Sequence, residues 1–380
     1  MNCFETGPIR PPSEAGSILL RLTRNCHWNR CAFCPVYKRE RFSVRKVDEV
    51  KGDIDAMSAI AGRICGRVGG HRGGRGMREA IVEAVRGLDL GDGEHRECVR
   101  QVAFWLAQGM RNMFLQDADA LVLRTEQLVE ILRYARATFP TIERITTYAR
   151  AKTISRKSPD ELKALRAAGL NRIHIGMESG SDAVLSLVQK GVTQDEQIRA
   201  GRNVMAAGIE LSEYFMPGLG GRELSDQHAV DSAAVLSAVN PTFIRLRSTV
   251  PVPGTPLHDM MAEGRWAPLT EEEKVREIRL CIERIEGVTS TVQSDHIMNL
   301  LEGVAGTLPD GKRQILELID RFLDMDPADR EAFIVGRRAG RYRDLSDYVP
   351  ANEVEMIRRD LVARFGSVER GILEILPSFV

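Results

Sequence analysis

Short β-branched and aliphatic runs alternate with longer stretches of helical period along residues 17–250 of this chain. Ser17–Thr23 (SILLRLT), Met113–Gln116 (MFLQ), Arg144–Tyr148 (RITTY), Asn171–Gly176 (NRIHIG), Ile209–Met216 and Thr242–Thr249 (TFIRLRST) read as six strands. The helices between them carry their own punctuation. Ser158-Pro-Asp-Glu161 predicts an N-cap, a proline at the first helical position and a capping box, with Gly169 as the stop. Thr193 and Glu196 repeat the box, with Gly208 as their stop. Gly109 ends the helix before the second strand, and a further helix is expected from near Ser225.

Strict alternation of strand and helix implies parallel strands joined by right-handed crossovers. The expected fold is therefore α/β, a partial (β/α)6 barrel of parallel strands over residues 1–257. A mainly helical region is expected over 258–380, with Thr270-Glu-Glu-Glu273 capping a helix and Val288–Val292 as one more short strand. In such folds chemistry sits at the C-terminal strand ends, which puts the loops after Thr23, Gln116, Tyr148, Gly176, Met216 and Thr249 on one face. The first crossover is long, an insertion over about 43–109, and contains Gly69-Gly70-His71-Arg72-Gly73-Gly74-Arg75-Gly76. That run reads as a flexible connection, or as a loop able to close over an anionic substrate.

Charge adds an exclusion. Lys+Arg and Asp+Glu both number 53 in 380 residues, so no global field draws the chain to nucleic acid or an anionic membrane. No run approaches the length of a membrane span, and the first residues lack a signal-peptide pattern, so a cytoplasmic protein is expected. Seven cysteines without an export signal argue against a disulfide framework. Cys3, Cys65, Cys98 and Cys281 stand alone, as small buried hydrophobes often do.

Cys26, Cys31 and Cys34 differ, falling together directly after the first expected strand. Three thiolates on one loop suit zinc or an iron–sulfur cluster. Structural zinc would need a fourth ligand, and His27 is poorly placed to share an ion with its neighbour Cys26. In a cubane the missing fourth ligand leaves one iron open. The segment resembles the radical S-adenosylmethionine (SAM) superfamily, whose usual signature is C-x3-C-x2-C with an aromatic before the last cysteine. Phe33 matches that aromatic, while the first spacing here is x4. The resemblance implies an enzyme with a [4Fe–4S] cluster on the three cysteines and SAM on the open iron. Reductive cleavage of SAM would yield a 5′-deoxyadenosyl radical that abstracts hydrogen from an unidentified substrate.

Later segments fall in the order this resemblance requires, over roughly residues 17–257. Gln116-Asp117-Ala118-Asp119 stands where the family carries a glycine turn for the SAM amino group, and implies Gln116, Asp117 and Asp119 as contacts. Gly176-Met177-Glu178-Ser179-Gly180-Ser181 resembles the G-x-E-S-G-S segment, which implies Glu178 near the ribose or methionine. Arg150, closing the third strand, would face the SAM carboxylate, or form a surface salt bridge. Met216-Pro-Gly218-Leu-Gly-Gly221 and Pro251-Val-Pro-Gly-Thr-Pro-Leu257 resemble turns of the coproporphyrinogen-oxidase-like branch, with Gly218 close to the adenine. Ser294-Asp295-His296 with Asn299 reads either as a helix N-cap or as a pocket with His296 as acid or base. The resemblance also implies an electron donor such as flavodoxin or ferredoxin. Alternative functions are a non-catalytic heme-binding chaperone of the same branch, and a zinc-binding module.

Overall fold

A computed structural model describes residues 3–68, 75–88 and 93–379. The Gly69–Gly74 part of the glycine- and arginine-rich run lies outside the described residues. The chain divides into two compact units. The first comprises residues 1–27, 39–174 and 206–210, and the second 28–38, 175–205 and 211–380.

The first unit holds β1 (Ile18–Arg21), β2 (Asn112–Gln116), β3 (Arg144–Ala149) and the opening residues of β4 (Leu170–Glu178), neighbours in that order. β1 and β2 are parallel, with Ile18 opposite Met113 and Arg21 opposite Gln116. β2 and β3 are parallel as well, with Asn112 opposite Arg144. The long first crossover is helical where described: α1 (Val47–Val68), α2 (Arg75–Arg86) and α3 (Gly93–Ala107). α1 buries Val50, Ile54, Met57, Ile60 and Ile64, a stripe of helical period that explains why the segment folds as a long helix. After α3, Gly109 takes a left-handed φ of 85°, a turn in which glycine carries no Cβ penalty. α4 (Thr125–Thr138) links β2 to β3, and α5 (Pro159–Ala168) links β3 to β4. Ser158 and Glu161 form the expected reciprocal box, and Gly169 ends α5 at φ 112°.

The second unit holds the end of β4, then β5 (Glu210–Phe215), β6 (Phe243–Leu246), β7 (Thr291–Gln293) and β8 (Gly306–Thr307), again neighbours in order. β5–β6 and β6–β7 are parallel, and β8 runs antiparallel to β7. α6 (Gln194–Ala206) and α7 (Gly221–Val239) alternate with the strands. α7 begins at Gly221, four residues before the start expected at Ser225, because the glycine turn after β5 runs straight into it. A Cβ on Gly221 would lie 2.8 Å from the Ala267 carbonyl oxygen, so this entry tolerates only glycine. β6 is shorter than expected, since Ser248 turns aside to donate its N–H to Asn299 at 2.9 Å. α8 (Glu271–Arg284) opens on the expected Thr270–Glu273 box. Helices occupy most of the chain from Lys312 onward. The α/β fold of mostly parallel strands with a helical C-terminal region is thus the one found. Among the described residues no helix is long and apolar enough to cross a membrane.

Candidate active site

The cysteines lie on a loop whose base is stitched shut. Thr23–Arg24 pairs antiparallel with Ser43–Val44, and Asn25 Nδ2 donates to the Arg41 carbonyl at 2.7 Å. All seven cysteines are thiols rather than disulfides, and Cys26, Cys31 and Cys34 are half-buried. Within the second unit the Cys31–Cys34 turn is pinned on both sides. Ala32 N–H donates to Val188 O at 2.8 Å, and Leu257 N–H donates to Ala32 O at 3.0 Å. Ala32 is buried among Val184, Val188, Met216, Leu219, Leu257 and Trp266. Lys38 Nζ donates to the carbonyls of Asn29 at 3.3 Å and Cys31 at 3.0 Å, and Trp28 Nε1 donates to Gln189 O at 2.8 Å.

Phe33 packs on the same apolar cluster, and the Lys190 ammonium stands 5.6 Å from its ring centre. Lys190 Nζ also pairs with Glu178 Oε1 at 3.0 Å. Two residues named from the sequence, Phe33 and Glu178, are thereby joined through a buried lysine that sequence reasoning missed; nothing in a Lys-Gly dipeptide announces burial. Glu178 takes a left-handed φ of 63° at the end of β4. On β5, Glu213 is buried with Oε2 lacking a hydrogen bond. Burial, then the nearby Glu178 charge, holds its carboxyl well above the ordinary range, against the pull of Lys190.

The residues after Glu178 are clamped from α7. Ser179 Oγ lies 2.8 Å from His228 Nδ1, and His228 Nε2 lies 3.0 Å from Met216 O. Gly180 N–H donates to Ser232 Oγ at 2.8 Å, and a Cβ on Gly180 would stand 2.3 Å from the Asp231 carbonyl oxygen. Gly218, at φ 86°, donates its N–H to Glu277 Oε1 at 2.6 Å. Burial pushes the Glu277 carboxyl up to about 8 and the His228 imidazole down to about 4, so both are mainly neutral at pH 7.

In the first unit, Gln116 uses its amide on the N-terminal segment, donating to Gly7 O and Ile9 O and accepting from Gly7 N–H. Asp117 is buried against Arg21, with Nη2 to Oδ2 at 2.6 Å. Asp119 accepts from Thr153 Oγ1 at 2.5 Å and from Leu121 N–H at 3.2 Å, and lies 3.8 Å from His27 Nδ1. Burial raises the Asp119 carboxyl to about 6. Arg150 Nη1 reaches His27 Nε2 at 3.5 Å. His27 thus stands between Asp119 and Arg150, two of the named residues. Burial and the Arg150 charge hold its imidazole down at about 4.

The C-terminal polar group separates into parts. No helix begins at Ser294 or Asp295. Ser294 Oγ donates to Leu301 O at 2.8 Å, and Asn299 braces Ser248 and Leu246, so both are structural. His296 Nδ1 accepts from Met298 N–H at 3.2 Å, and burial holds it neutral.

Among the described residues no three His, Cys, Asp or Glu side chains converge as ligands of one ion. A donor set made of thiols alone is one that iron–sulfur clusters take, as zinc also can. Cys26, Cys31 and Cys34 fit such a group.

The sequence profile of the Radical SAM superfamily matches residues 90–233. The chain is 24% identical over 122 residues to a tRNA uridine(34) acetyltransferase of Methanocaldococcus infernus, covering 32% of this chain and 23% of that protein. It is 27% identical over 183 residues to biotin synthase of Porphyromonas gingivalis, covering 48% and 51%. To the heme chaperone HemW of Bacillus subtilis it is 21% identical over 193 residues, covering 50% of each. The chain therefore spans about half or less of the length of these relatives.

Proposed function

From the chain's membership of the radical SAM superfamily, we propose that it is an enzyme that cleaves SAM reductively at a [4Fe–4S] cluster and abstracts hydrogen from a small-molecule substrate. One observation carries this reading. The profile match covers residues 90–233 and so owes nothing to Cys26, Cys31 and Cys34, which lie outside it and supply the thiols the chemistry requires.

Cys26, Cys31 and Cys34 would hold the cluster, which when bound passes one electron to SAM, giving methionine and a 5′-deoxyadenosyl radical. Phe33 offers an aromatic face at the last cysteine. Glu178 offers hydroxyl-accepting oxygens, and its pairing with Lys190 at 3.0 Å orients the side chain. The clamps from His228 and Glu277 hold the Ser179 side chain and the backbone at Met216 and Gly218, which reduces the ordering cost of a bound nucleoside. Asp119 and Arg150 remain proposed contacts for the polar end of SAM. Gln116 and Asp117 would act through backbone groups, since their side chains are engaged elsewhere. The electron would come from a one-electron donor protein such as a flavodoxin or ferredoxin.

Anaerobic reconstitution with iron and sulfide, then incubation with SAM and dithionite, tests the reading. Formation of 5′-deoxyadenosine is expected. A formed cluster that yields none overturns the proposal, as does a colourless chain that takes up zinc alone.

A further inference from the structure

β5, β6 and β7 place Tyr214, Arg245 and Gln293 directly opposite one another, so the three side chains share one face near the C-terminal ends of their strands. This row is polar on all three strands. Arg245 is buried, at 4% exposure. A guanidinium there needs a partner in its plane, and the one it has is incomplete. Asp295, half exposed on the loop after β7, reaches Arg245 Nη1 through one oxygen at 2.7 Å. Among the described residues Arg245 Nε is buried with no hydrogen-bond partner, and so is Gln293 Oε1 on the neighbouring strand. Leaving a charged donor unsatisfied in the interior is costly. Two further groups face the same place. Arg247 stands two positions past Arg245, and His296 directly follows Asp295. Among the described residues, Arg247 has no ion pair.

We propose that Arg245 is a carboxylate-binding site for the substrate, with Asp295 as an internal carboxylate that occupies the position until a ligand displaces it. A free carboxylate approaching in the guanidinium plane would engage Nε and an Nη together, which the one-point contact of Asp295 does not do. Displacing Asp295 is inexpensive because its carboxylate is half in water and returns to it. Arg247 supplies a second positive charge. His296, its Nδ1 already accepting, has Nε2–H to donate to the same ligand. Met216 N–H, two residues past Tyr214, donates to Glu178 O at 2.9 Å, which places this site next to the proposed nucleoside contact within the second unit. The inference names a substrate class for the proposed radical chemistry. Only the fate of the bound acid rests on that reading; its binding does not.

The test uses the full chain and three acids, propionate, lactate and alanine, each beside its primary amide, with binding followed by ligand-observed NMR titration. The acids are expected to bind in preference to the amides. R245Q should weaken the acids by roughly tenfold or more, the scale of a charge-assisted contact. R245K, which keeps the charge and loses the fork, should fall between. D295N, on an exposed loop, should bind the acids at least about threefold more tightly, because the competing carboxylate is gone. Circular dichroism checks that each variant is folded. Equal binding of acid and amide, no binding to wild type and D295N alike, or a D295N affinity unchanged from wild type overturns the proposal. A chain that forms no deoxyadenosine yet still discriminates the acids keeps this site and loses the radical reading. The converse outcome does the reverse.

Discussion

Replacing Glu277 by glutamine should make the protein more stable at alkaline pH while leaving it unchanged under mild acid. The carboxyl is buried on α8, accepts Gly218 N–H and Ser225 Oγ–H at 2.6 Å each, and lies 3.7 Å from His228 Nε2. Burial raises it from 4.5 to about 8. Between those values the folded chain holds a proton that the unfolded chain has released, so stability falls as pH rises through that window. The stabilisation is complete below 4.5 and lost as pH passes about 8. At about 1.4 kcal/mol per pH unit, the loss is bounded at roughly 5 kcal/mol, and solvent relaxation around the ionised group will reduce it. Glutamine copies the protonated form: its oxygen accepts from Gly218, and its amide donates to Ser225. The E277Q variant should therefore match wild type within about 1 kcal/mol near pH 5 and exceed it by several near pH 9. His228 acts with the opposite sign, because its folded value of about 4 lies below the ordinary 6.5 and its contribution is lost as pH falls. A decline above pH 6.5 cannot come from it. Glu213 shares the carboxyl direction but is present in both proteins and cancels in the difference. Urea midpoints by circular dichroism over roughly pH 5 to 9 supply the measurement. Parallel wild-type and E277Q profiles would refute the reasoning.

Three further perturbations test the site. Exchanging Lys190 for glutamine leaves Glu178 half of a broken pair at 13% side-chain exposure, at a cost on the order of 3 kcal/mol; a double-mutant cycle with E178Q that shows no coupling would remove the pair from the account. An alanine at Gly191 meets both a left-handed φ of 70° and the Trp28 ring at 2.2 Å, so tryptophan emission should shift to the red, and an unaltered spectrum counts against the seat described for Trp28. Loss of the Ser158 hydroxyl should lower stability by about 1 kcal/mol through the α5 cap, with an unchanged thermal midpoint as the contrary result.

The fold was legible where local chemistry decides it. The Ser158 and Thr270 boxes, the Gly169 stop and the β-branched runs each set their element through neighbours a few residues away. Errors of boundary came where distant groups intervened, as at Ser248, drawn off β6 by Asn299, and Gly221, admitted into α7 by the Ala267 backbone. The site was legible in its residue types and opaque in its pairings. Glu178 and Phe33 stood out by motif, while Lys190, which joins them, carried no signal. The role of Gln116 turned on Gly7, 109 residues earlier in the chain, and that of Asp117 on Arg21, 96 residues earlier. Arg245 did leave a trace: Arg245 in β6 and Arg247 just past its end alternate with the aliphatic Ile244 and Leu246. That alternation is a usable warning that one face of a strand meets something polar.

The first crossover sets a timetable for assembly. Ile18 finds its ladder partner at Met113, and α1, α2 and α3 lie between them. Closure over so long a stretch costs entropy that grows only slowly with length, so the insertion is tolerated in the finished fold. Its effect is on order of events, because distant pairings form late. On the ribosome, the segment with Cys26, Cys31 and Cys34 emerges well before β2 exists to anchor β1 beneath it. On the reading proposed above, loading of the three thiols with iron and sulfide would follow the synthesis of β2, because only then does β1 have its ladder partner.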